Sequence, residues 1–180
     1  MQIKNISNLY PSKINDLFVL KPEAFYDFRG ENFEGFQEDS CQEEFLKSAL
    51  WKAESPRFII DSYSRSKKDT LRGFHGDSKT WKLIQCLFGS IYFAVIDLRK
   101  ESSTFGNHQV FILNDKERIQ VLVPKGCVNA HLCVSDECLF QYKLTSKYVS
   151  QGDQIHVKWN DPTYSIDWPI ASPILSKRDL

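Results

Sequence analysis

From residue 57 onward the chain is a series of short apolar runs separated by turn residues. Arg57 to Ile60, Lys82 to Phe88, Ile91 to Leu98, Gln109 to Leu113, Arg118 to Val123, Val128 to Val134, Cys138 to Leu144 and Gln154 to Trp159 each predict a strand. Gly89-Ser90 supplies a turn. Asn114-Asp115-Lys116 carries the signal of a hairpin turn between the runs on either side. The first third is mixed. Leu17-Phe18-Val19-Leu20 predicts a short strand ended by Lys21-Pro22. Asp27-Phe28-Arg29-Gly30 is turn-like, and Asn32-Phe33-Glu34 is extended. Ser40-Cys41-Gln42-Glu43 matches a capping box, in which hydroxyl and carboxylate satisfy free amides at a helix start. Phe45, Leu46, Ala49 and Leu50 then recur at helical spacing, so one helix is predicted from about Cys41 to Trp51. Pro56 excludes its continuation. Many short strands at regular spacing predict an all-β fold, best matched by a jelly-roll double-sheet barrel with one or two short helices.

Composition sharpens this picture. Aromatic residues make up 13% of the 180, which favours pleated, half-buried strands. No internal repeat or linker divides the chain, so residues 1–180 read as a single domain. The 23 Lys and Arg balance 23 Asp and Glu, so the basic excess of a nucleic-acid binder is missing. No apolar run of about 18 residues is present to span a membrane, and Met1 to Asn5 open no secretory signal. Five cysteines with no C-x-x-C pair fit a reducing cytoplasm and speak against structural zinc. Free cysteines usually act as small buried hydrophobes, and they are assigned no chemistry.

Several blocks then agree in order and spacing. They are Leu71-Arg72-Gly73-Phe74-His75, Val95-Ile96-Asp97-Leu98-Arg99 with Ser103-Thr104-Phe105-Gly106, Val123-Pro124-Lys125-Gly126, Phe140-Gln141-Tyr142-Lys143, Trp159-Asn160-Asp161-Pro162, Ile166-Asp167-Trp168-Pro169 and Leu175-Ser176-Lys177-Arg178-Asp179. Together they resemble the dTDP-4-dehydrorhamnose 3,5-epimerase family of cupin-fold enzymes, from about Leu17 to Asp179. The resemblance implies a metal-free, cofactor-free homodimer with a neighbouring N-terminal segment covering each site. Its substrate would be a nucleotide-diphosphate sugar, epimerised at carbons next to a C4 ketone for surface polysaccharide or deoxysugar synthesis.

Such chemistry needs a base for the proton beside the ketone, positive charge at the enolate oxygen, and an acid on the opposite face. His75 matches the family's base, against an alternative as a core or turn histidine. Asp179 matches its carboxylate partner, although a penultimate residue is often only a solvated charge at a frayed end. Lys82 matches the enolate stabiliser, with Lys79 close by and a shortened loop before it. Tyr142 matches the general acid. Arg72 and Arg29 match diphosphate-binding positions, where guanidinium forks suit phosphate oxygens. Glu34 and Phe25 match the nucleotide-binding region.

The chain also departs from the pattern. The Pro-x-Gly-x-x-His block reads Pro124-Lys125-Gly126-Cys127-Val128-Asn129, so Asn129 stands where the family has histidine beside the substrate. Asparagine hydrogen-bonds a sugar but is no acid or base near neutral pH. His131, two residues on, shares its strand face and is open to either a substituting or a packing role. Ile60 and Ser62 replace residues directed at the base, which opens GDP or CDP, and a GDP-linked 4-keto heptose of capsule synthesis, as substrates. After His75 no histidine or glutamate follows at metal-ligand spacing, so no catalytic metal is predicted. A 3,4-ketoisomerase on the same scaffold and a catalytically silent sugar-binding cupin are the alternative readings.

Overall fold

In the computed structural model, which describes residues 3–7, 9–147 and 150–180 without the side chains of Ser40 and Gln151, two antiparallel sheets face each other. The strands are β1 (Ile3–Asn5), β2 (Phe18–Pro22), β3 (Ala24–Asp27), β4 (Gly30–Phe33), β5 (Ile60–Lys67), β6 (Leu71–Gly76), β7 (Lys82–Phe88), β8 (Ser90–Asp97), β9 (His108–Asn114), β10 (Gln120–Val123), β11 (Cys127–Cys133), β12 (Glu137–Leu144) and β13 (Ile155–His156). One sheet has six strands in the order β1-β2-β10-β7-β12-β5. The other has five, in the order β13-β6-β11-β8-β9, and β3-β4 form a separate hairpin. This is a double-sheet jelly roll. Its sheets keep open edges and do not close into the barrel expected above.

Alternation is weak in the central strands because both of their faces are buried. Val19, Ile84, Val121, Phe93 and Val95 pack between the sheets. Leu20, Leu83 and Leu122 point the other way, onto Phe45, Trp51 and Trp81 beneath the helices. Ala94, Ile96, Val128 and Ala130 point outward from the five-stranded sheet. The C-terminal segment covers them through Val157, Tyr164, Ile166 and Trp168. Continuous apolar runs follow from that double coverage, rather than the alternation of a half-solvated sheet.

Four expectations need correction. The predicted helix is two, α1 (Glu38–Phe45) and α2 (Ala49–Glu54), and the cap lies at Ser48. Its Oγ accepts from the Trp51 amide at 3.0 Å and donates to Asp16 at 2.6 Å. Ser40 falls inside α1, and its side chain is outside the described set. Asn114-Asp115-Lys116 is no hairpin: β9 pairs with β8 and β10 with β2 and β7, so the turn carries the chain between sheets. Asn114 Oδ1 accepts from the Lys116 and Glu117 amides, a local turn chemistry that is the same in either topology. Only Ile60 of the predicted strand at 57–60 is in a strand, because Phe58 instead packs on Phe36, Phe45 and Trp51. The strand predicted at 154–159 shrinks to Ile155–His156 at the edge of β6.

Candidate active site

A cavity of about 580 Å³ is lined by residues of both sheets. Arg72, His75, Asn129 and His131 line it from β6 and β11. Lys82, Ile84, Phe140, Tyr142 and Leu144 line it from β7 and β12, on the opposite wall. A volume of this size suits a small organic ligand.

The β6 wall depends on an irregularity. Asn129 pairs with His75 and His131 with Arg72, so the one residue between them on β11, Ala130, faces two on β6, Gly73 and Phe74. In a regular strand positions 72 and 75 would point to opposite faces; the bulge lets both line the cavity. Gly73 sits within it at φ +117°, where a Cβ would meet the Asn129 carbonyl at 2.6 Å and Ala130 Cα at 2.8 Å. The glycine of the Leu-Arg-Gly-Phe-His block is therefore a steric requirement.

His75 Nε2 lies 2.8 Å from an Asp179 carboxylate oxygen. Asp179 is only 3% exposed and not a frayed terminal charge. The C-terminal segment is tied along β6, where the Leu71 amide donates to the Ile174 carbonyl and Ile174 in turn to Asp69. Ser176 Oγ donates to the second Asp179 oxygen at 2.6 Å, and Arg178 is hydrogen-bonded to Gln154. With Nε2 facing a carboxylate, Nδ1 of His75 is the basic nitrogen; it is buried with no partner among the described residues. Burial, helped by Arg178, holds the imidazole at about 4 although Asp179 pulls it upward. The imidazole is therefore unprotonated at neutral pH.

Lys82 crosses from one sheet to the other. Its Nζ donates to the His75 carbonyl and to Asn129 Oδ1, both at 2.8 Å. Burial lowers its pKa to about 8, against the pull of Asp77. An ammonium can make three donations, so one remains for a ligand. Tyr142 lies on β12, opposite His75 across the cavity, and packs on Phe140. The His75 imidazole and the Tyr142 phenol thus stand on facing walls, with the Lys82 ammonium beside the imidazole.

Arg72 stands at the cavity wall with Nε donating to Ser66. Arg29 is not brought here. It lies at the exposed β3–β4 turn, paired with Asp27. Glu34 and Phe25 are likewise away from the cavity, just after and within that hairpin. Sequence reasoning gave no role to Ser64, Gln154, Ser176 or Arg178, which also line it. The family-like block Leu175 to Asp179 contains two of them, Ser176 and Arg178; Ser64 sits in a polar stretch with no apolar pattern to mark a strand. Asp97, the charged residue of β8, is structural. Despite full burial, hydrogen bonds from Arg99, Thr104 and Ser102 hold its carboxyl at about 2.

Among the described residues, His75, His156 and Asp179 bring ligand-type atoms within 4.8 Å of one another. A cation there would have to break the His75–Asp179 hydrogen bond beside the Arg178 guanidinium. The donor set fits a hydrogen-bonded dyad better than a metal centre.

Comparison with known proteins agrees with this architecture. The family model described as dTDP-4-dehydrorhamnose 3,5-epimerase matches residues 11–180. The Escherichia coli K12 protein of that name is 35% identical over 176 residues, covering 96% of this chain and 91% of its own length. The crystal structure of the Elizabethkingia anophelis enzyme superposes with a TM-score of 0.86 at 29% identity, over 99% of this chain and 94% of that one. A Legionella pneumophila 3,5-epimerase crystallised with dTDP-4-keto-L-rhamnose gives 0.85 at 31% identity, over 99% and 90%. The chain belongs to the dTDP-4-dehydrorhamnose 3,5-epimerase family and is an isomerase.

Proposed function

We propose that this protein epimerises the carbons flanking the C4 ketone of a dTDP-linked 4-keto-6-deoxy sugar. The observation that carries this is the His75–Asp179 dyad facing Tyr142 across one cavity, with the Lys82 ammonium bridging to the base's own backbone. His75 Nδ1 takes the proton from C3. The C–H electron pair moves into the ring and onto the ketone oxygen, where the Lys82 ammonium stabilises the enolate. Tyr142 then delivers a proton to the opposite face, which inverts the carbon; its phenolate recovers a proton from solvent, and the His75 imidazolium releases its proton to solvent. The same cycle at C5 gives the double epimer. Arg72 takes the diphosphate.

Proton NMR in D2O with dTDP-4-keto-6-deoxyglucose tests this. Deuterium at C3 and C5 is the expected result. Deuterium at C3 alone would narrow the activity to a 3-epimerase and implicate Asn129. Carbonyl migration to C3 would replace the reading with a 3,4-ketoisomerase, and binding without exchange would leave a silent sugar-binding cupin.

The two perturbed groups set the pH dependence. The base must be unprotonated, so kcat/KM falls as acid approaches about 4. The ammonium must be protonated, so kcat/KM also falls as pH rises through about 8. A bell-shaped profile between these limits is expected, and Lys82→Gln should remove its alkaline limb.

A GDP-linked 4-keto heptose of capsule synthesis is the second reading. Its support is Ile60, an apolar inward position on β5 that offers a pyrimidine base no hydrogen bond, followed by Ser62. Calorimetry across dTDP, GDP, CDP and UDP decides between them; a clear preference for dTDP discards the heptose.

The homodimer reading draws support from the β3–β4 hairpin. Phe25, Tyr26 and Phe28 are exposed on it, Phe28 at 98%, and Arg29 stands beside them. Such an aromatic surface suits a partner subunit. In a dimer of that kind Arg29 and Glu34 serve the partner's cavity. Five free, buried cysteines are in keeping with a cytoplasmic enzyme, and no helix is long and apolar enough to cross a membrane.

A further inference from the structure

We propose that His131 is a substrate-contacting residue whose Nε2 hydrogen-bonds the sugar-linked phosphate beside Arg72, so that β11 supplies the imidazole Asn129 lacks from two residues further along, on the same strand face. The inference rests on the nucleotide-sugar reading above and names a contact within that site.

His131 lines the cavity yet is only 3% exposed. Its ring stacks on Phe140 of the opposite sheet, with centroids 4.0 Å apart and planes 12° from parallel. The stack fixes the ring as a plate between the two walls. Phenylalanine would fill the same space and stack as well, so packing alone does not call for an imidazole. The imidazole instead carries a cost: Nε2 is buried with no hydrogen-bond partner among the described residues. Ser64 Oγ and His75 Nδ1 are buried and unpartnered in the same way, and both residues also line this cavity. Of the six buried side-chain polar atoms without a partner among the described residues, these three belong to cavity-lining residues; the other three, on Trp81, Arg118 and Gln120, do not.

The strand register says which part of the ligand. Asn129 pairs with His75, and His131 with Arg72. Cross-strand partners share a level on one face. The reacting carbon belongs at the His75 level, next to Asn129 and Lys82. The phosphate belongs at the Arg72 level, next to His131. Asn129 Oδ1 is already committed to Lys82, whereas His131 Nε2 is free. Burial and Arg72 keep the His131 ring neutral, its pKa near 3. A neutral imidazole donates one N–H to a phosphate oxygen while Arg72 supplies the charge.

His131→Phe separates this role from packing, because it keeps the ring stack and removes the nitrogen. The variant is expected to melt at or above the wild-type temperature, since it deletes an unsatisfied buried group. Its KM for the nucleotide sugar is expected to rise about tenfold with kcat little changed, and its affinity for dTDP alone to fall by a similar factor. Binding of thymidine, which has no phosphate, should not change. His131→Gln, which keeps a donor, should recover part of the dTDP affinity; it also serves if the Phe variant fails to fold. Unchanged KM and dTDP affinity in both variants, with a wild type that binds and turns over, would overturn the inference alone. A wild type that binds none of the four nucleoside diphosphates would overturn it together with the functional reading.

Discussion

His75→Asn is expected to lower kcat by about three orders of magnitude while dTDP affinity stays within a few-fold of wild type. The substitution removes the basic nitrogen and keeps a polar group of similar reach. Hydrogen-bonded base catalysis contributes roughly 10² to 10⁴ to a rate, and this cavity offers no second base at the same position, because Asn129 stands beside it. His131 sits one level away against Phe140 and is held neutral, with too little basicity near pH 7 to take over. Deuterium exchange at both carbons should disappear together, since one base serves both. Exchange persisting at wild-type rate would remove His75 from the mechanism. Tm should fall modestly, because the buried Asp179 carboxylate loses its ring partner.

The second large effect is at the C-terminus. Asp179→Asn is expected to lower kcat by about 10²- to 10⁴-fold, and removal of Asp179 and Leu180 by at least as much. The carboxylate orients the His75 ring and stabilises the imidazolium that forms when the base takes its proton. An amide does neither well and favours the wrong tautomer. The two changes should differ in stability. Asn keeps a partner for Ser176, whereas truncation leaves Ser176 and a buried ring nitrogen unpaired, at a cost of about 1 to 3 kcal/mol. Steady-state kinetics and thermal melts on the two variants check both expectations. A truncated protein with wild-type kcat would show that the terminus only packs.

The legibility of this molecule followed the chemistry of its faces. Strands β7, β8, β10 and β11 were readable because both faces are buried, which leaves uninterrupted apolar runs. Strand β5 was not, because its inward positions after Ile60 are Ser62, Ser64 and Ser66, and Ser64 lines the cavity. A strand that faces a polar cavity on one side and solvent on the other has no hydrophobic period to detect. The cap moved from Ser40, which lies inside α1, to Ser48 at the start of α2, where the buried Trp51 follows; capping residues are common and local sequence alone does not choose among them. The turn at 114–116 has the same local hydrogen bonds whether its strands pair or part.

By itself the chain determined the β-rich class, the ordered blocks and the residue types that epimerisation needs, because each is written in local composition and spacing. Only the tertiary structure decided which of those residues meet. It brought Asp179 across 104 positions of chain to His75, committed Asn129 to Lys82, and left His131 with a free nitrogen at the level of Arg72. It also set Arg29 and Glu34 on a hairpin away from the cavity. Such meetings depend on sheet register and one bulge in β6. A change of one residue in register turns a side chain to the opposite face, and nothing in the local sequence records it.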